Sequence, residues 1–173
     1  MVKSQSHHAN TELVQELTEN TVTGGVAMIN HALAEMWQET DDILMHDWYL
    51  ALLASAFGNL VFIDQPGELY RQHSDNVLGA RTLSKRFKKW IRPHILFAVY
   101  WDLIKNSQKQ ARHLLQMPLS QSNRELIEAF VTIMDKSMLE RFRILRKYGL
   151  RKNKAFHTLV FTTLIVTKFA YKE

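Results

Sequence analysis

The sequence predicts an α/β first half followed by an all-helical, basic second half, with helix predominating along the chain. Three observations lead there. Up to Gly79, short apolar or β-branched runs punctuated by glycine and proline alternate with helical patterns, as strands and helices in turn would. Beyond it, apolar residues recur four apart, at Ile91, Ile95, Val99 and Leu103 and again at Leu126, Phe130, Met134, Met138 and Phe142. The charge changes sign at the same place. Residues 1–80 hold 2 Lys+Arg against 11 Asp+Glu and residues 81–173 hold 20 against 6, so the halves carry −9 and +14 within a net charge of +5. The expected units are therefore 1–80 and 81–173.

Taken in order, a polar lead precedes a short helix in "NTELVQEL", where Asn10 or Thr11 can cap and Leu13, Val14 and Leu17 share a face. In "TVTGGVAMIN", β-branched residues before a glycine pair and apolar ones after it predict a strand entered through a tight turn. "HALAEMWQ" is helical in pattern. "ETDDIL" offers acceptors for the start of the next helix, the apolar run that begins near His46 and stops at Gly58. "NLVFID" reads as a buried strand, Pro66-Gly67 as a turn, and "ELYRQHSDNVLG" as a second extended piece running into a loop. The basic half follows as helices broken at Pro118. Its last, "AFHTLVFTTLIVTKFAY", makes roughly 25 Å of helix against a hydrocarbon core of about 30 Å. It is expected to lie in a membrane plane or to dock on the core, not to span.

At 173 residues the chain has the size of one domain and can bury roughly 70% of its unfolded surface. The absence of cysteine removes any disulfide framework, thiolate nucleophile or thiolate metal site, in keeping with a reducing cytoplasm. The polar start "MVKSQSHHAN" does not read as a secretory signal. A half of charge +14 calls for an anionic partner. No Gly-rich RNA motif or recognition-helix pattern favours nucleic acid, and the lysines from Lys85 to Lys89 read as a solvated face. The expected partner is an anionic membrane surface on the cytoplasmic side, with "RILRKYGLRKNK" among the headgroups. His7, His8, His94, His113 and His157 lack ligand-like spacing and are assigned no metal.

Asp47 raises the functional question. A carboxylate at the mouth of the otherwise apolar "ILMHDWYLALLASAFG" either caps a helix or does chemistry. Three clusters bear on it: "NTVTGG" from Asn20 to Gly25, "MHDWYLALLASAFG", and "LYRQHSDNVLGA" from Leu69 to Ala80. In order and wording they resemble the second half of the catalytic domain of bacterial family 2 glycosyltransferases, the rhamnosyltransferase-like members above all, closely over residues 18–90 and loosely beyond. The resemblance implies the acceptor-side half of a GT-A fold and an inverting transfer in cell-surface polysaccharide synthesis. It also implies a nucleotide-sugar donor such as a dTDP-deoxysugar, a lipid-linked saccharide acceptor, and a divalent cation, Mg or Mn. The Asp-x-Asp half that holds metal and nucleotide in such enzymes has no counterpart here, since Asp41-Asp42 precede a helix instead of following a strand. The chain is therefore expected to be the C-terminal portion of a glycosyltransferase, inactive alone, or a subunit completing a separately encoded donor half. The rival from another class is a non-catalytic helical module on a membrane surface.

The resemblance also distributes roles. Asp47 takes the place of the general base, oriented by His46, against the alternative of a first-turn residue that only serves its helix. Asn20, Thr23, Gly24 and Gly25 belong to the substrate cluster, the glycines either letting backbone approach a sugar or making a plain turn. Trp48 stacks on an acceptor sugar or fills core. Arg71 and His73 alternate on one face of an extended strand, where they meet a diphosphate and its metal or form a solvated pair; His73 is the metal-ligand candidate.

Overall fold

Apolar stripes on short helices organise the folded chain. The computed structural model describes residues 2–4, 10–37, 43–70 and 93–171. In chain order these form strand β1 (Val2–Ser4), helix α1 (Leu13–Glu16), a 3-10 turn (Gly24–Val26), α2 (His31–Glu35), α3 (His46–Phe57), β2 (Glu68–Tyr70), α4 (Pro93–Leu114), α5 (Gln121–Val131), a second 3-10 turn (Ile133–Asp135), α6 (Met138–Tyr148) and α7 (Ala155–Thr167). The molecule is predominantly helical, as expected. β1 and β2 pair antiparallel, Val2 opposite Tyr70 and Ser4 opposite Glu68, and make the one sheet among the described residues.

The α/β character expected of the first half is thinner than the sequence suggests. "TVTGGVAMIN" is a 3-10 turn flanked by irregular chain, and "NLVFID" is irregular with Val61 77% and Ile63 55% exposed. A strand needs a ladder partner as well as β-branched residues, and the sheet among the described residues pairs only β1 with β2, neither of which comes from these stretches. Nor does Asn10 or Thr11 cap α1: the residue before that helix is Glu12, which makes no side-chain cap bond, and Asn10 instead bonds Asn153.

Elsewhere local chemistry sets the ends. Asn30 caps α2 by accepting from Leu33 N–H at 2.9 Å. Ser137 and Glu140 close a reciprocal capping box at the start of α6. That helix ends at Gly149, whose left-handed φ of 67° lets Leu150 N–H reach back to the Leu145 carbonyl at 3.0 Å.

One core draws from both halves of the charge division: Leu13 and Leu17, then Trp48, Tyr49, Leu52 and Leu53 of α3, join Trp101, Ile104 and Leu114 of α4, Ile127 and Phe130 of α5, and Phe161, Leu164 and Ile165 of α7. Of the predicted four-apart row, Ile91 lies outside the described residues, and Val99 and Leu103 on α4 are not on its buried face. Val99 and Leu103 are partly exposed, while Trp101, Ile104, Ala111 and Leu114 are buried. A strict four-residue step drifts about 40° per repeat off a helix of 3.6 residues per turn, so the buried stripe has to mix steps of three and four. Likewise Met138 and Phe142 leave the core after the break at residues 133–137 and face solvent.

Polar ties fasten residues 10–24 between the halves. Ser107 Oγ donates to the Leu17 carbonyl at 2.6 Å, Thr18 Oγ1 to the Arg151 carbonyl at 2.6 Å, Lys152 Nζ to the Thr18 carbonyl, and Asn153 N–H to Glu19 at 3.0 Å. Burial lowers the Lys152 pKa while the Glu19 charge opposes that shift. Helix α7 docks on this core through Phe161, Leu164 and Ile165. No helix among the described residues is long and apolar enough to cross a membrane.

Candidate active site

The mouth of α3 is assembled from two stretches that sequence spacing leaves apart. Met45 enters the helix in extended conformation and makes no side-chain cap bond, so the first backbone N–H groups need an acceptor from elsewhere. Asp47, in the first turn and 8% exposed, supplies one: its Oδ1 accepts from Trp48 N–H at 2.8 Å. The same carboxylate takes Asn20 Nδ2 on Oδ1 at 3.3 Å and Gly24 N–H on Oδ2 at 3.0 Å. Asn20 in turn bends its own chain by accepting from Val22 N–H at 3.0 Å, which carries Gly24 round to Asp47.

Gly24 is there for close approach. A Cβ at that position would stand 2.9 Å from His46 Nε2 and 3.5 Å from Asp47 Cβ, so only glycine lets the turn lie against the start of α3 without moving a side chain. Of the expected site residues, Asn20, Gly24, His46 and Asp47 are thus brought together. Thr23 and Gly25 sit exposed in the same turn. Trp48 is core: it is 2% exposed and donates its indole N–H to the Glu16 carbonyl at 2.7 Å, which leaves no ring face for stacking on a sugar. Arg71 and His73 lie outside the described residues.

Glu16 was missed by the sequence reading, although its place three residues after Leu13, beside the apolar face, is a signal. It is fully buried, and burial pushes its carboxyl from 4.5 up to about 7, against the lowering effect of hydrogen bonds from Thr21 Oγ1 and N–H. The loop from Asn20 to Gly24 therefore hangs between two buried carboxylates, with Thr21 on Glu16 and its neighbours on Asp47.

The described residues do not fit a divalent cation. No group of three or more His, Asp or Glu among them is arranged to hold one, and Asp47, with three N–H donors already on its carboxylate, stands without a second carboxylate or imidazole ligand set around it. What the site offers is one carboxylate, three donors that hold it, and an exposed imidazole beside it.

No protein-family model, curated protein or solved structure matches the chain.

Proposed function

We propose that this chain is the acceptor-side part of an inverting family 2 glycosyltransferase, with Asp47 as the base that activates the acceptor hydroxyl. One observation carries the reading. Two of the three clusters on which the resemblance rests, "NTVTGG" and "MHDW", converge on a single carboxylate across separations of 23 and 27 residues.

In that reading the acceptor oxygen attacks the anomeric carbon of the donor from the face opposite the nucleotide. The new C–O bond forms as the bond to the diphosphate breaks, and the hydroxyl proton passes to Asp47. A carboxylate offers about four lone-pair sites, so three donors leave one for the incoming hydroxyl. Those donors fix its direction, which is what a positioned base requires. His46, exposed and next to the Gly24 turn, stands where it can orient the acceptor. The donor is a nucleotide-sugar, a dTDP-deoxysugar such as dTDP-rhamnose being the preferred candidate, and a separate nucleotide-binding half holds it. The acceptor is a lipid-linked saccharide, and the basic half keeps the protein peripheral on the inner face of the cell membrane.

A second reading has a specific observation behind it. Met45 leaves α3 uncapped, and Asp47 supplies the missing acceptor, so a purely structural Asp47 would make the same contacts. Membranes from cells depleted of the chain, fed a labelled nucleotide-sugar pool, separate the two. The glycosyltransferase reading expects incorporation into lipid-linked saccharide to fall on depletion and to return when the purified chain is added back. Unchanged incorporation would leave only the structural role.

A further inference from the structure

We propose that the outward face of the α6–α7 hairpin is the surface that docks on an anionic lipid bilayer, with Phe142 and Leu159 entering the acyl boundary and Arg146 and Arg151 on headgroup phosphates. This rests on the membrane-peripheral reading of the basic half and is independent of the role given to Asp47.

The hairpin is antiparallel. Arg141, near the start of α6, donates to the Val166 carbonyl near the end of α7 through Nε at 3.1 Å and a terminal nitrogen at 2.6 Å, and to the Lys136 carbonyl at 2.9 Å. That buried guanidinium and the core side chains Leu145, Phe161, Leu164 and Ile165 fix the inner faces. The outer faces carry apolar side chains left open among the described residues: Leu139 is 70% exposed, Phe142 48%, Phe156 59% and Leu159 64%. At about 100° per residue, Met138, Leu139 and Phe142 share one side of α6 with Arg143 and Arg146, and Phe156 and Leu159 share one side of α7. The grooves beside α7 connect the two helices, since Phe142, Arg146, Arg151, Thr158 and Thr162 line one, and Arg151, Thr158 and Thr162 recur in the other, where Leu159 joins them.

The charge on this face decides the occupant. Residues 136–154 hold eight Lys and Arg against the single acid Glu140. Arg141 and Lys152 turn inward onto backbone carbonyls. Six remain exposed, namely Lys136, Arg143, Arg146, Lys147, Arg151 and Lys154, while Glu140 is held by Ser137. A second copy docking here would set six cations against six. A nucleic acid would use the cations and leave Leu139, Phe156 and Leu159 in water. An anionic bilayer takes both, with cations among the phosphates and single apolar tips in the hydrocarbon margin, and it demands no matching shape from a shallow face.

The test is flotation of the full chain with vesicles of phosphatidylcholine alone or mixed with phosphatidylglycerol. Deleting α7 would strip Phe161, Leu164 and Ile165 from the core, so exposed-residue variants are the sound probe. Wild type is expected on the mixed vesicles only. Partitioning should fall about fivefold for Arg146→Gln or Arg151→Gln and about tenfold for Phe142→Ser or Leu159→Ser. Val61→Ser, an exposed apolar change in the acidic half, should leave it unaltered. A Leu159→Trp variant should be quenched by lipids brominated along the acyl chain. Wild-type binding that none of these variants weakens, or an unquenched tryptophan, would overturn the assignment of this face. Absence of vesicle binding by wild type would overturn the peripheral reading itself. A dimer abolished by Phe142→Ser, with no lipid binding, would give the face to a second copy.

Discussion

Replacing Glu16 by glutamine should change the pH dependence of stability in a defined direction. Glu16 is fully buried, and its carboxyl is raised from 4.5 to about 7, with burial the largest cause. Below about pH 4.5 the group is protonated in both the folded and the unfolded chain and nothing is lost. Between there and about pH 7 the unfolded chain releases its proton first, so stability falls as pH rises; above about pH 7 the full penalty is in place. A shift of this size corresponds to about 3 kcal/mol, of which about 2–3 kcal/mol develops between pH 5 and 8. Glutamine cannot ionise, yet it keeps an oxygen for Thr21. Urea unfolding followed by tryptophan fluorescence should therefore show Glu16→Gln gaining about 2–3 kcal/mol on wild type from pH 5 to pH 8, a midpoint displacement of about 1 M or more. A constant difference between the two proteins across that range would refute the idea that a buried Glu16 resists ionisation.

Other expectations follow from single contacts. Gly24→Ala places a methyl 2.9 Å from His46 Nε2, where the ring can swing away into solvent, so stability should fall by no more than about 1 kcal/mol while the His46 ring resonances move; unshifted resonances would contradict the close approach. Lys168 ends α7 in the left-handed region with φ 54°, so Lys168→Gly should raise the melting temperature by about 2–4 °C, and no rise would show that the conformation costs nothing. Gly149→Ala has open space around it but a φ of 67°, and should destabilise by about 1 kcal/mol through backbone strain alone; a neutral result in thermal melts would contradict that conformation.

What could be read from the sequence was local. Helix α3 was legible at both ends, because the apolar run from His46 stops at Gly58 with nothing polar enough in between to break it. The end at Gly58 is also tied from outside, by Asn123 Nδ2 on the Ala56 carbonyl at 2.8 Å, which no spacing announces. "NLVFID" misled because β-propensity describes a residue's fit to a sheet and cannot supply the neighbouring strand. On α4 the helix was legible from its apolar spacing, but the core took the stripe through Trp101, Ile104 and Leu114 and left Val99 and Leu103 partly exposed. At the candidate site, Asn20, Gly24 and Asp47 were each named, whereas their contact is tertiary and became visible only in the folded chain. Glu16 escaped because a lone glutamate in a short amphipathic helix reads as solvated, and only the folded chain buries it completely.

The role of Asp47 is tested most directly by comparing turnover with folded fraction in Asp47→Asn. Both carboxylate oxygens accept from N–H donors, so the amide loses at least one acceptor site and about 1–3 kcal/mol of stability. Against a total of roughly 5–15 kcal/mol for a domain, the variant should remain folded at room temperature. Glycosyl transfer would be measured in depleted membranes restored with equal amounts of folded wild-type or variant chain. With Asp47 as the base, transfer falls by about 10²–10⁴-fold per folded molecule. Transfer that merely tracks the folded fraction would make Asp47 a helix-terminal carboxylate and nothing more.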